Sequence, residues 1–290
     1  MHVKAKRENF VAMLDPTSRA AGRWKVFSEI IRQHVNSARR SLMIRLGLSN
    51  RPAVQNVDFV AATTVEESQY YSQWIAPCPL FAPWLGHSEF QAVYEGVEPH
   101  TLVSPDRCYI LISVARYASH LAGNFAECGV YRGGTALLLA RVLQNMPDKR
   151  LYLFDSFQGL PKVTEGKDQW FHEGQFSGTG VEAVKQLLSD FRGTTEIRCG
   201  WIPQTFAGLE DNRYAFVHVD VDLYQSTLDC CNYFYPRLVS GGVLVFDDYG
   251  FAAARGEKDA VDEFFADKPE CPIALPTGQA IVLKVPLEKQ

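Results

Sequence analysis

The sequence predicts an α/β protein: a Rossmann-like, mostly parallel sheet with helices on both faces, preceded by a helical N-terminal extension. Three observations carry this. From Thr101 onward, apolar runs of strand length alternate with amphipathic runs of helix length, the rhythm of βαβ units. Glycine turns or acidic residues stand immediately after several of those strands. The chain is 290 residues long with 47% hydrophobic and 21% charged residues, enough to bury a sizeable core. The change of character near residue 100 divides it into an extension, 1–100, and an α/β domain, 101–290.

The extension is irregular and rich in Pro, Trp and Tyr around 77–99. Within it, 23–48 has helical spacing, with Val26, Phe27, Ile30, Ile31, Val35, Leu42 and Leu46 on one pattern. Arg32, Arg39, Arg40 and Arg45 share the segment, which suits either a helix that docks on a membrane surface or a packing or dimer helix with a solvated basic face. Ser104-Pro105-Asp106 then supplies N-cap, N1 and first-turn acid for a helix running to about Ser119. Strands follow at Asn124–Cys128, 151–154, Thr195–Cys199, 215–219 and 242–246, with a late edge strand at Ala280–Leu283. Helices fall between them at 135–143, 181–191, 226–234 and 260–265.

Composition excludes several classes. The net charge of −4 argues against a general polyanion or nucleic-acid binder. The seven cysteines are odd in number and contain no CxxC pair, so neither a disulfide framework nor a zinc finger is expected. Residues 1–9 are polar and basic with no apolar run behind them, and no stretch has the length of a membrane span. A cytoplasmic protein is expected, with no integral membrane segment; peripheral membrane contact and a homo-oligomer, a dimer in the simplest case, stay open.

In an open α/β sheet, ligands bind beyond the carboxyl ends of the strands. After the first strand comes Glu127-Cys128-Gly129-Val130-Tyr131-Arg132-Gly133-Gly134. Its glycines allow a tight turn and a close backbone approach, and the next helix offers its N-terminal amides. This is not GxGxxG, so the dinucleotide fingerprint is absent. An acid followed by this turn suits a ligand carrying both ammonium and carboxylate. The second strand leads into Asp155-Ser156, an acid about 20 residues past the loop and placed for ribose hydroxyls. A helix cap is the simpler role for such an Asp. Phe157 and Trp201 are candidates to flank an adenine, or core residues.

The fourth and fifth strands end in His218-Val219-Asp220-Val221-Asp222 and Phe246-Asp247-Asp248. Carboxylates gathered this way repel one another, and a hard cation such as Mg²⁺ or Mn²⁺ removes the penalty. Asp220, Asp247 and Asp248 are the candidate ligands. Asp222 either joins them or caps the next helix, and His218, mid-strand, reads as a core residue or a support for the ligands. The polar stretch 164–180, which contains His172, suits a surface lid.

Taken together, the blocks Glu127–Gly134, Asp155 to Pro161, His218 to Thr227, Gly241 to Tyr249 and Gly256 to Phe264 resemble the macrocin O-methyltransferase family, sugar O-methyltransferases of the TylF, MycF and NovP type. The resemblance implies a class I methyltransferase fold with a seven-stranded sheet, S-adenosylmethionine as donor and Mg²⁺ held by three acids. Carried over by position, Asp220, Asp247 and Asp248 are the metal ligands and Asp220 the general base. Glu127, Gly129, Tyr131, Gly133, Asp155, Ser156, Ser177 and Trp201 fall on the donor side. A sugar or glycosylated acceptor is implied by family alone. The competing readings are transfer to another vicinal diol or catechol, metal-independent transfer, a donor-binding module without turnover, and a nicotinamide oxidoreductase on the same fold, which the missing GxGxxG disfavours.

Overall fold

The structure, a computed structural model, describes residues 82–85, 89–178 and 180–286. The basic segment 23–48 and most of the extension lie outside the described residues. Among those residues the strands are β1 (Asn124–Cys128), β2 (Leu151–Asp155), β3 (Thr195–Cys199), β4 (Tyr214–Val219), β5 (Leu238–Phe246), β6 (Ile273–Ala274) and β7 (Ala280–Leu283). The helices are α1 (Glu89–Glu95), α2 (Pro105–Ser119), α3 (Gly134–Val142), α4 (Val181–Leu187), α5 (Tyr224–Phe234) and α6 (Arg255–Phe265).

The seven strands form one sheet in the order β3-β2-β1-β4-β5-β7-β6. β1 to β5 are parallel, and β7 returns antiparallel between β5 and β6. Ala280–Leu283 is therefore not the edge strand that the sequence suggests. The edge is β6, whose two residues are too few to leave a periodic signal. The expected helix over 181–191 stops at Leu187 and gives way to a 3₁₀ turn at Ser189–Phe191.

Alternation along the central strands sorts side chains onto two faces. Phe125, Leu151, Leu153, Phe216, Val243 and Val245 pack under α2 and α3 with Leu111, Ala115, Leu138 and Leu139. Ala126, Phe154, Val217, Val219, Leu244 and Phe246 pack on the other face against Phe234 of α5 and Val261 and Phe265 of α6. Both faces are covered, so these strands are almost continuously apolar, as in buried parallel sheets. The exceptions matter. By the same alternation Glu127, His218 and Asp247 fall on the α2 face, and all three are fully buried.

Candidate active site

The pairing of the parallel strands continues one residue past each strand end. Gly129 N donates to Phe154 O, Asp220 N to Cys128 O and Asp247 N to Val219 O, at 2.8–2.9 Å. This lateral stitching sets the glycine loop, Asp220 and Asp247 side by side along the carboxyl edge of the sheet.

The glycine loop is shaped by its own protein. Gly129 has φ +85°, and a Cβ there would lie 1.7 Å from the carbonyl oxygen of Asp220. A Cβ on Gly134 would meet His100 and Thr101 at 2.7–2.8 Å. The open backbone thus serves close packing of β1 against β4 and against residues 100–101. α3 begins behind Gly133, itself left-handed, with no side-chain cap on its first amides. Those uncapped amides are the feature of this loop that suits an anionic group.

Asp155 braces the same loop. Its Oδ2 accepts from the amides of Val130 (2.7 Å) and Tyr131 (2.9 Å), and Oδ1 from Phe157 (2.6 Å). The carboxylate so fixes Tyr131 and Phe157, both at positive φ. Ser156 is buried, donates to Gly159 O and accepts from Gln158 N, both at 3.0 Å, closing the following turn. Phe157 is half-buried against the core on the α2 face, Trp201 is exposed beyond β3, and Ser177 is exposed in the loop before α4. Tyr131 packs edge-on to Phe176 with centroids 6.4 Å apart.

At the acid cluster, parallel register pairs Glu127 with His218. His218 Nδ1 lies 2.9 Å from Glu127 Oε1, and its Nε2 faces Asp247 Oδ1 at 3.4 Å without hydrogen-bond geometry. Burial opposes the imidazolium, but the Asp247 and Glu127 carboxylates outweigh it and hold the His218 pKa well above its ordinary value. His218 thus lies buried between two acids, a placement that strand register sets. Gln279 Nε2 donates to Asp247 Oδ1 at 2.8 Å.

The larger surprise is Arg107. Its Nη1 ion-pairs with Asp247 Oδ2 and, at 3.0 Å, with Asp248 Oδ1. α2 covers the face on which Asp247 emerges, so the first turn of that helix delivers the guanidinium. Burial alone would raise the Asp247 carboxyl, but Arg107 and His218 hold it below the usual carboxylate range. The neighbours go the other way: burial, then Asp247 and Asp248, push Asp220 well up, and burial with Asp248 does the same to Asp222. Glu257 of α6 is fully buried, accepts from Asp248 N at 3.0 Å, and leaves Oε2 without a partner.

Asp222 does not cap α5. It sits at φ 61°, and Leu223 is the N-cap residue. The cap comes instead from Asp168, in the stretch read as a lid. Asp168 is 2% exposed; its Oδ1 accepts from Tyr224 N at 2.9 Å and its Oδ2 from Thr164 N at 2.7 Å. A Cβ at Gly256 would lie 2.0 Å from Asp168 Oδ1, so that glycine makes the slot.

The donor set suits a hard divalent cation. His218, Asp220 and Asp247 each bring one ligand atom to within 4.8 Å of the others. The surplus of carboxyl groups over Arg107 and His218, visible as raised proton affinity at Asp220, Asp222 and Glu257, is what such an ion neutralises. Asp248, expected as a third ligand, is engaged with Arg107.

Comparison with known proteins agrees with this architecture. The model of the macrocin-O-methyltransferase (TylF) family matches residues 100–272. The chain is 31% identical over 158 residues to the 8-demethyl-8-(2,3-dimethoxy-alpha-L-rhamnosyl)-tetracenomycin-C 4'-O-methyltransferase of Streptomyces olivaceus, covering 51% of this chain and 59% of that protein. It is 29% identical to the mycinamicin III 3''-O-methyltransferase of Micromonospora griseorubida, covering 49% and 60%. The alignments therefore span less than two thirds of these relatives. Among solved structures, the O-methyltransferase NovP superposes with a TM-score of 0.59 at 24% identity, covering 68% of this chain and 88% of NovP. The calicheamicin methyltransferase CalS11 gives 0.54 at 18% identity, covering 81% and 99%. Both likenesses are of fold.

Proposed function

Because the chain belongs to the macrocin-O-methyltransferase family, we propose that it transfers a methyl group from S-adenosylmethionine to a hydroxyl of a sugar or glycosylated acceptor, assisted by Mg²⁺ or Mn²⁺. The observation that carries this is the backbone stitching of the glycine loop to Asp220 and Asp247, which supports a donor loop beside a hydroxyl-activating group on one sheet edge. The Streptomyces olivaceus relative is named for methylating a rhamnosyl compound, which supports a sugar acceptor.

In this reading the uncapped start of α3 and the loop amides receive the carboxylate end of the donor. Asp155 keeps its place for ribose hydroxyls with the lone pairs its three amide partners leave, while Trp201, Ser156 and Ser177 lie on the adenine side. Asp220, Asp247 and Asp248 would hold a divalent cation, which would supply Lewis-acid stabilisation of the developing alkoxide. Asp220, half-buried and proton-hungry, takes the hydroxyl proton. Gln279, donating to Asp247 Oδ1, holds that carboxylate oriented, and Glu127 stays on the donor side as the partner of His218. Residues 1–100 contribute acceptor recognition, a lid or self-association. No helix among the described residues is long and apolar enough to cross a membrane.

The test is incubation with labelled S-adenosylmethionine and a panel of glycosides, with Mg²⁺ or with EDTA, read by mass spectrometry. Methylated glycoside that vanishes with EDTA and in Asp220→Asn is expected. Undiminished turnover in EDTA refutes the metal, and methylation confined to non-sugar catechols refutes the acceptor class.

A further inference from the structure

The acid cluster already contains a cation that the chain itself supplies. The Arg107 side chain is 11% exposed and the Asp247 side chain not at all. Asp247 divides its oxygens: Oδ1 takes Gln279 and faces His218, while Oδ2 takes Arg107. Any ion that coordinates through Oδ2 must meet the guanidinium first. Arg107 has somewhere to go, since its guanidinium already lies 4.9 Å from the ring centroid of Phe251, a residue 37% exposed.

We propose that Arg107 is an internal counter-ion. It holds Asp247 and Asp248 in place while the site is metal-free, and it competes with a divalent cation for the same oxygens. The inference rests on the metal reading given above. The physics is an exchange of cations. Without either, the buried Asp247 and the partly exposed Asp248 carboxylates repel, and each loses a partner. With Arg107 they are paired. When an ion binds, a fixed positive charge a few ångströms away weakens it, and the penalty falls as the guanidinium withdraws toward Phe251. Arg107 is thus a positioning residue for the metal ligands.

The experiment titrates Mn²⁺ into wild type and Arg107→Gln, following free Mn²⁺ by electron paramagnetic resonance, with thermal unfolding of each protein in EDTA and in saturating Mn²⁺. Arg107→Gln is expected to bind Mn²⁺ at least about tenfold tighter, to melt lower in EDTA, and to gain more from Mn²⁺ than wild type does. Equal or weaker Mn²⁺ binding in the variant overturns the inference while leaving the metal reading intact. Binding by the variant and not by wild type sustains it, and makes Arg107 the resident cation of the native site. Absence of binding in both overturns the metal reading and this inference with it. If Arg107→Gln does not fold, Arg107→Met removes the charge while keeping an unbranched side chain. Tighter Mn²⁺ binding than in wild type is then expected, and equal or weaker binding overturns the proposal.

Discussion

Asp168 offers the most direct test of how its loop is held to α5. Its carboxylate accepts two backbone amides, Thr164 in its own loop and Tyr224 at the start of α5, from a position 2% exposed to solvent. Asp168→Ala removes both bonds and strands both donors. A hydrogen bond to a charged group contributes about 1.5–3 kcal/mol. Taking the lower figure for each, because the loop can admit water, the loss is about 3 kcal/mol. At about 2–4 °C per kcal/mol for a domain of this size, the melting temperature should drop by about 6–12 °C. Asp168→Asn keeps the shape but turns one acceptor into a donor facing an N–H, so about half the loss is expected. Calorimetry gives the melting temperatures, and hydrogen exchange at the Tyr224 amide gives the local effect. A drop below about 2 °C in Asp168→Ala, with Tyr224 still protected, would refute the claim that this carboxylate ties the loop to α5.

Three further outcomes follow from the same geometry. Gly129→Ala places a methyl 1.7 Å from Asp220 O at a φ of +85°, so a loss above about 4 kcal/mol or no soluble protein is expected; denaturant unfolding within 1 kcal/mol of wild type contradicts it. His218→Leu leaves Glu127 and Asp247 buried without the imidazole between them, and should cost about 3–5 kcal/mol in the same assay; a neutral effect contradicts the pairing. Glu270 is held below the usual carboxylate range: burial alone would raise it, but the Tyr235 hydroxyl at 2.6 Å and the Lys284 ammonium at 3.2 Å outweigh that. A depressed folded pKa means that its stabilisation is present above the unfolded value of about 4.3 and disappears as pH falls through the lower folded value. The stability gap between wild type and Glu270→Gln should therefore be widest near pH 7 and close below pH 4, and a gap independent of pH refutes it.

The strands and their functional ends are legible in the sequence because apolar runs and acids at their carboxyl edges are local patterns. Asn124–Cys128 and Thr195–Cys199 appear with the boundaries expected of them. What is not legible comes from contacts between distant parts of the chain. Arg107 reaches Asp247 across 140 residues, and nothing near Ser104-Pro105-Asp106 announces it. Charge arithmetic is the one available clue, since Glu127, Asp220, Asp222, Asp247 and Asp248 demand more counter-charge than their neighbours supply. The Glu127–His218 pair depends on register between β1 and β4, which no single strand encodes. Asp168 was hidden for a different reason. An acid in a glycine-rich, charged loop has the signature of solvent exposure, and only the slot made by Gly256 draws it inside.

The bare backbone of Gly129 has a consequence for anyone who would redesign this protein. The loop that would hold the donor and the aspartate that would take the acceptor's proton are separated by less than the width of a methyl group. They behave as one casting rather than two parts bolted together. A loop reshaped for a bulkier donor would carry Asp220 with it and misalign the acceptor side. Changes of acceptor, by contrast, can be sought in residues that do not touch this seam, leaving the donor half and its neighbouring carboxylates as a fixed chassis.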